Sequence, residues 1–150
     1  MIPAKFRVWD EVIGQMFYDV GITPDGVPYR VSERRFDYYP PEFLMQYSGL
    51  KDKNGTLIYD GDIIRYVKPG EYIPTRDSGG GIIDYNYVEP EKKILYVEYF
   101  AATFATKDIK KSKTSDQFYS PLDWFIENEP IDVIKNVEVI GNIYETPDLK

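Results

Sequence analysis

Apolar and polar residues alternate along this chain in short runs, and turn residues interrupt the runs before a helical period is established. Residues 5–10 predict a strand with Phe6 and Val8 on one face. Residues 11–15 hold Gly14 and predict a turn, and 16–20 return as the second strand of an N-terminal hairpin. Thr23-Pro24-Asp25-Gly26 is a turn signal, because proline presets one turn position and glycine accepts positive φ at another. Residues 29–39 suit either a strand or a partly ordered loop, closed by Pro40-Pro41.

The middle of the chain is the most strongly patterned. Residues 43–47 predict a strand that Gly49 breaks. Asn54-Gly55 marks a tight hairpin, since both residues tolerate the left-handed conformation it needs, and 56–59 form the partner strand. Asp60-Gly61-Asp62 then turns the chain into a strand over 63–67, whose Ile, Tyr and Val favour sheet. The segment PGEYIPTRDSGGG (69–81), with two prolines and four glycines, is expected to be a mobile loop. Strands follow over 82–88 and 94–100, separated by a polar turn at 89–93, and 101–106 extend the second. Residues 107–117 are expected to form a loop, with Phe118-Tyr119 beginning a short return.

One helix is signalled. Ser120 supplies a cap, Pro121 suits the first position, Asp123 completes the capping pattern, and Leu122, Phe125 and Ile126 share a face before Pro130. A final strand over 137–144 contains Gly141, the mark of a bulge or a close backbone approach. Many short strands and one short helix predict a single all-β domain over 1–150, a compact Greek-key or SH3-like barrel. Trp9 and Trp124 are expected in its core.

Composition narrows the chemistry. With 150 residues, 43% hydrophobic and 16% aromatic, the chain can bury a core without a disulfide or metal. It contains neither cysteine nor histidine. That excludes thiolate nucleophiles, imidazole bases and zinc sites built on either residue, and leaves oxygen ligands as the route to any cation. A net charge of −7 counts against generic binding to nucleic acid, whose phosphates are neutralised by Lys and Arg. No apolar run approaches the ~20 residues that span a bilayer, and residues 1–10 lack a signal-peptide pattern, so a soluble cytoplasmic protein is expected.

Several residue sets invite a sharper reading. Asp84, Glu91 and Lys93 contain the elements of a magnesium nuclease, two carboxylates for metal and a lysine for charge, but Glu91 and Lys93 follow Pro90 in the expected turn. Asp60 and Asp62 suit either a cation or turn chemistry, and turn chemistry is the favoured reading. Ser78-Gly79-Gly80-Gly81 lacks the Lys and Ser or Thr of a phosphate loop. Arg34-Arg35, Lys92-Lys93 and KDIKKSK (107–113) are the basic candidates. The last, with Phe104 and Tyr119, would suit single strands, but a solvated loop is favoured. No residue is assigned as catalytic, cofactor-binding or metal-binding. The fourteen tyrosines are read mainly as half-exposed strand residues, with a subset fit for an interface.

Three blocks stand out together: KFRVWD (5–10), MQYSGLKDKNGTLIYDGDIIRY (45–66) and VIGNIYE (139–145). In content and order they resemble the YopX family, small proteins of bacteriophages and prophages of Gram-positive bacteria. The resemblance spans nearly the whole chain and implies a phage setting, but it carries over no active-site residue. The expectation is therefore a non-enzymatic accessory protein in the host cytoplasm, binding a host or phage protein and able to form a homo-oligomer. A metal-dependent enzyme acting on nucleic acid through Asp84, Glu91 and Lys93, or a β-barrel binding single strands, is the alternative.

Overall fold

A computed structural model describes residues 5–100, 103–108, 119–121 and 134–149. Fourteen strands run through them, joined by antiparallel pairings alone, and the sheets curl into a half-barrel. The all-β class is as expected. Among the described residues helix is confined to two single 3-10 turns, Pro41–Phe43 and Pro147–Leu149.

The N-terminal sheet holds β1 (Phe6–Asp10), β2 (Gln15–Phe17), β6 (Leu44–Lys51) and β7 (Leu57–Tyr59), in the order β2-β1-β6-β7. A separate three-stranded sheet is built from β3 (Gly21–Ile22), β4 (Pro28–Ser32) and β5 (Arg35–Tyr38). The ambiguous segment 29–39 is thus a hairpin, with Tyr29 opposite Tyr38 and Val31 opposite Phe36. Gly49 does not end β6. At φ +87° it makes the irregularity that lets the strand continue to Lys51. Asp52 then accepts N–H bonds from Asn54 and Thr56 through Oδ1, and Gly55 at φ +81° completes the reversal.

The five-stranded sheet is the structural centre. Its order is β13 (Tyr119–Pro121), β12 (Thr103–Asp108), β11 (Glu91–Phe100), β8 (Asp62–Lys68) and β14 (Val137–Asn142). Ile63 and Ile64 are adjacent in β8 and both fully buried, so this strand is covered on both faces. Ile58, Leu95, Val97, Ile134 and Val137 complete the cluster around Ile64. Between β8 and β11 the chain makes an exposed hairpin, β9 (Glu71–Arg76) with β10 (Ile82–Val88).

Further expectations are corrected here. The loop predicted over 69–81 contains β9, because the reversal is compressed into Asp77–Gly80 and Pro74 is tolerated in a strand with a free edge. The turn predicted over 89–93 is shorter, since Glu91, Lys92 and Lys93 pair with Lys68, Val67 and Tyr66. Residues 103–106 reverse against β11 instead of extending it, and Lys107 and Asp108 complete that strand. Ser120 and Pro121 stand in β13, paired to β12, rather than at a helix start. The predicted helix at 122–129, Trp124 and the 109–117 part of the predicted loop lie outside the described residues. Trp9 is half-buried, not in the core proper. The bulge at Gly141 is present, with a register shift between Val139 and Gly141.

Candidate functional site

Arg7 is the only charged residue in the middle of β1, and its side chain is 5% exposed. Pairing of β1 with β6 carries it inward, where Nη2 donates to Asp62 Oδ1 at 2.6 Å and to the Asp60 carbonyl at 3.4 Å. Its guanidinium lies 4.6 Å from the Tyr59 ring centroid. Asp62 Oδ2 accepts the Tyr59 N–H at 2.8 Å. Gly61, at φ +87°, donates its N–H to the Val97 carbonyl and accepts from Ile143. Asp60 Oδ1 accepts the Tyr99 N–H at 3.2 Å.

On the far side, Asn142 pairs with Asp62 across β14 and β8. Its Oδ1 accepts the N–H groups of Tyr144 and Glu145, and its Nδ2 donates to Glu145. Asp52 Oδ2 accepts the Val139 N–H, tying the Asn54-Gly55 hairpin to β14. A single knot therefore joins β1, β7, β8, β11 and β14, with buried acidic and amide side chains satisfying backbone donors that a curled sheet leaves over. Burial raises the Asp62 carboxyl to about 6 against the pull of Arg7. Burial also raises Asp60 and the Tyr59 hydroxyl.

The knot supports a cleft. Asn142 fixes the turn that presents Tyr144, and the Tyr144 ring stacks on Trp9 at 5.6 Å and 10°, with Phe43 edge-on at 5.7 Å. Trp9 and Phe43 line a cleft of about 600 Å3 between the β1–β2 turn and the β4–β5 hairpin. Three apolar residues of its lining are open to solvent, Val12 at 90%, Ile13 at 60% and Phe36 at 62%, beside the charged Glu11, Arg35 and Asp37. Asp10 holds that turn in place, its Oδ1 accepting from Val12 and Ile13. Arg30 lies flat on Phe17, 3.5 Å from the ring centroid, and forks onto Asp19. Its hydrogen bond holds Asp19 below the usual carboxylate range. Arg35 pairs with Asp37 at 3.0 Å on the opposite wall. This geometry can receive an apolar or aromatic side chain and flank it with polar groups.

The residues singled out in the sequence are placed differently. Glu91 and Lys93 share one face of β11 and pair with each other at 3.2 Å, whereas exposed Asp84 belongs to the separate β9–β10 hairpin. No group of three acidic residues able to hold a metal ion lies together among the described residues. The carboxylates of Asp60 and Asp62 accept backbone and Arg7 donors. In the Ser78–Gly81 turn, the N–H groups of Gly79 and Gly81 are both given to Asp77 Oδ1, at 2.9 Å each. Phe104 packs against the core cluster and on Tyr99, so it is not a free stacking platform. Neither the Arg7–Asp62 pair nor the cleft is among the sequence expectations. The signals were present in an arginine between Phe6 and Val8, and in an apolar Val12-Ile13 pair inside a turn.

A half-barrel of antiparallel sheets, tied by buried carboxylates and bearing an open cleft, defines a small all-β protein. The chain belongs to the YopX family: the YopX protein model matches residues 5–149. Among solved structures it is similar to protein yopX from Bacillus subtilis, 19% identical over 97% of both chains with a TM-score of 0.53, which shows a shared fold. It also aligns with protein EF1440 from Enterococcus faecalis, 21% identical over 99% of both chains with a TM-score of 0.48. No curated protein matches the sequence. No helix among the described residues is long and apolar enough to cross a membrane.

Proposed function

We propose that this chain is a non-enzymatic phage or prophage accessory protein that acts in the host cytoplasm by binding a host or phage protein through the Trp9–Phe43 cleft. One observation carries the reading: Val12, Ile13 and Phe36 stand open to water around a cleft that Trp9, Phe17, Tyr39 and Phe43 also line. Apolar groups left in water cost free energy that a partner recovers, at roughly 25 cal/mol per Å2 covered. Aromatic and arginine side chains are the types that dominate interface energetics, and both line this cleft. The partner is expected to insert an apolar or aromatic anchor between the β1–β2 turn and β5.

The test is affinity capture from nuclease-treated lysate of a Gram-positive host, using the wild type, Ile13→Asp and Phe36→Ala. A discrete protein retained by the wild type after nuclease and lost with both variants supports the reading. Recovery of nucleic acid, or a protein bound equally by all three, would overturn it. Both substitutions fall on exposed positions, so thermal unfolding is expected to change by no more than about 0.5 kcal/mol.

A further inference from the structure

The β9–β10 hairpin has two unlike faces. Directly paired residues share a face, which puts Tyr72, Pro74, Tyr85 and Tyr87 on one side. The Tyr72 and Tyr87 rings meet at 4.9 Å. Glu71, Ile73, Thr75, Asp84, Asn86 and Val88 form the other side, where Asn86 donates to Thr75. Tyr72 is 70% exposed and Tyr85 55%. Among the described residues β9 and β10 pair only with each other. An isolated two-stranded ribbon is marginal in water and needs a third strand or a covering layer.

The two free edges are not equivalent. β9 carries Pro74, which has no N–H to give, and a charge at each end in Glu71 and Arg76. β10 reads IIDYNYV, with neither proline nor glycine and with Asp84 as its one charge. That strand is compatible with itself. Antiparallel pairing of two copies about Tyr85 sets Asp84 against Asn86, and pairing about Asn86 sets it against Val88. In both registers no like charges face each other, and tyrosines or isoleucine meet tyrosines. Lateral pairing joins the backbone groups of the two β10 edges and brings Tyr85 and Tyr87, both exposed, beside tyrosine or isoleucine of the partner strand.

We infer that β10 is a self-association edge, at which two copies of this chain join their ribbons into one four-stranded antiparallel sheet, β9-β10-β10-β9. The inference does not depend on the cleft, and either can fail alone.

The experiment uses the full chain in three forms: wild type, Tyr85→Glu/Tyr87→Glu, and Tyr85→Lys/Tyr87→Lys. Sedimentation velocity over a concentration series is expected to show a dimer for the wild type. Each variant should associate at least about tenfold more weakly, and an equimolar mixture should regain the dimer, because opposite charges then face across the new edge. Restored pairing in the mixture also shows that both variants fold. A second measurement needs no variant: amide exchange over 82–88 should slow as wild-type concentration rises. A monomeric wild type, a dimer that both variants keep, a mixture that stays apart, or exchange indifferent to concentration would each overturn the inference.

Discussion

Arg7 Nη2 and Asp62 Oδ1 meet at 2.6 Å although 55 residues separate them, and both side chains are at most 5% exposed. Two of the three sequence blocks that characterise the chain meet in this contact. The third block adds Asn142, opposite Asp62. The signature is therefore largely a description of how one knot is tied.

Breaking the pair from one side leaves a buried charge unmatched. Arg7→Met or Asp62→Leu is expected to cost about 3–5 kcal/mol each, while the double substitution costs much less than their sum, since apolar replacements of similar volume can be nearly neutral. Denaturant unfolding of the four proteins gives the coupling directly. Additive losses would mean that the two groups do not act as a pair.

Stability should depend on pH through the same carboxylate. The Asp62 carboxyl lies at about 6 in the fold against an ordinary value of 3.8, raised chiefly by burial. The native state then holds a proton that the unfolded chain has released between pH 4 and 6, so stability falls as pH rises through that window. The loss is on the order of 2–3 kcal/mol from Asp62, and Asp60, also raised by burial, adds in the same direction. Thermal or urea unfolding from pH 4 to 7 should show this decline, and Asp62→Asn should flatten most of it. A wild type that gains stability across the window would contradict the assignment.

Asp52 is 1% exposed and accepts from Asn54, Thr56 and Val139. Asp52→Ala removes every one of these acceptors and should cost about 2–4 kcal/mol, at 1–3 kcal/mol for each buried group left unsatisfied, partly relieved by water. Asp52→Asn keeps a single acceptor oxygen and should recover part of the loss. Equal unfolding midpoints for Asp52→Ala and the wild type would refute this role.

Gly141 and Gly14 separate two reasons for glycine. A Cβ on Gly141 would collide with the Thr146 side chain, which itself holds the Asn142 N–H and carbonyl. Gly141→Ala should therefore cost about 1–3 kcal/mol as overpacking. A Cβ on Gly14 would touch nothing, but its φ of +65° strains any side chain, so Gly14→Ala should cost about 1–2 kcal/mol. In a Thr146→Ala background, which lacks the Oγ1 that the new Cβ would meet first, Gly141→Ala should cost less, while the cost of Gly14→Ala should be unchanged. Chemical denaturation distinguishes the two.

What the sequence revealed was local. Asn54-Gly55 selects a tight reversal within a few residues, and Gly141 marks a bulge through its own lack of a side chain, so both were readable from neighbours. The β9 strand was not, because Pro74 and Gly70 signal a loop unless one knows that the strand has a free edge. Glu91 and Lys93 look like turn residues in isolation, because their strand character comes from pairing with Lys68 and Tyr66, not from their own preferences. Arg7 with Asp62, and the cleft between two hairpins, depend on sheet order, which no short window of sequence contains. Asp60 and Asp62 read as turn formers, but Asp60 Oδ1 accepts from Tyr99 on a distant strand, and Asp62 divides its oxygens between Tyr59 N–H and Arg7.

The knot also sets an order of events during synthesis. Arg7 leaves the ribosome early and Asn142 very late, so Asp62 cannot complete its surroundings until almost all of the described chain has emerged. Contacts between such distant segments close slowly, because the loop entropy must be lost before the contact forms. Until then β8, with its buried Ile63 and Ile64, lacks β14, its neighbour on one side. A nascent chain halted before residue 137 would carry that edge with its backbone groups unpaired on the β14 side.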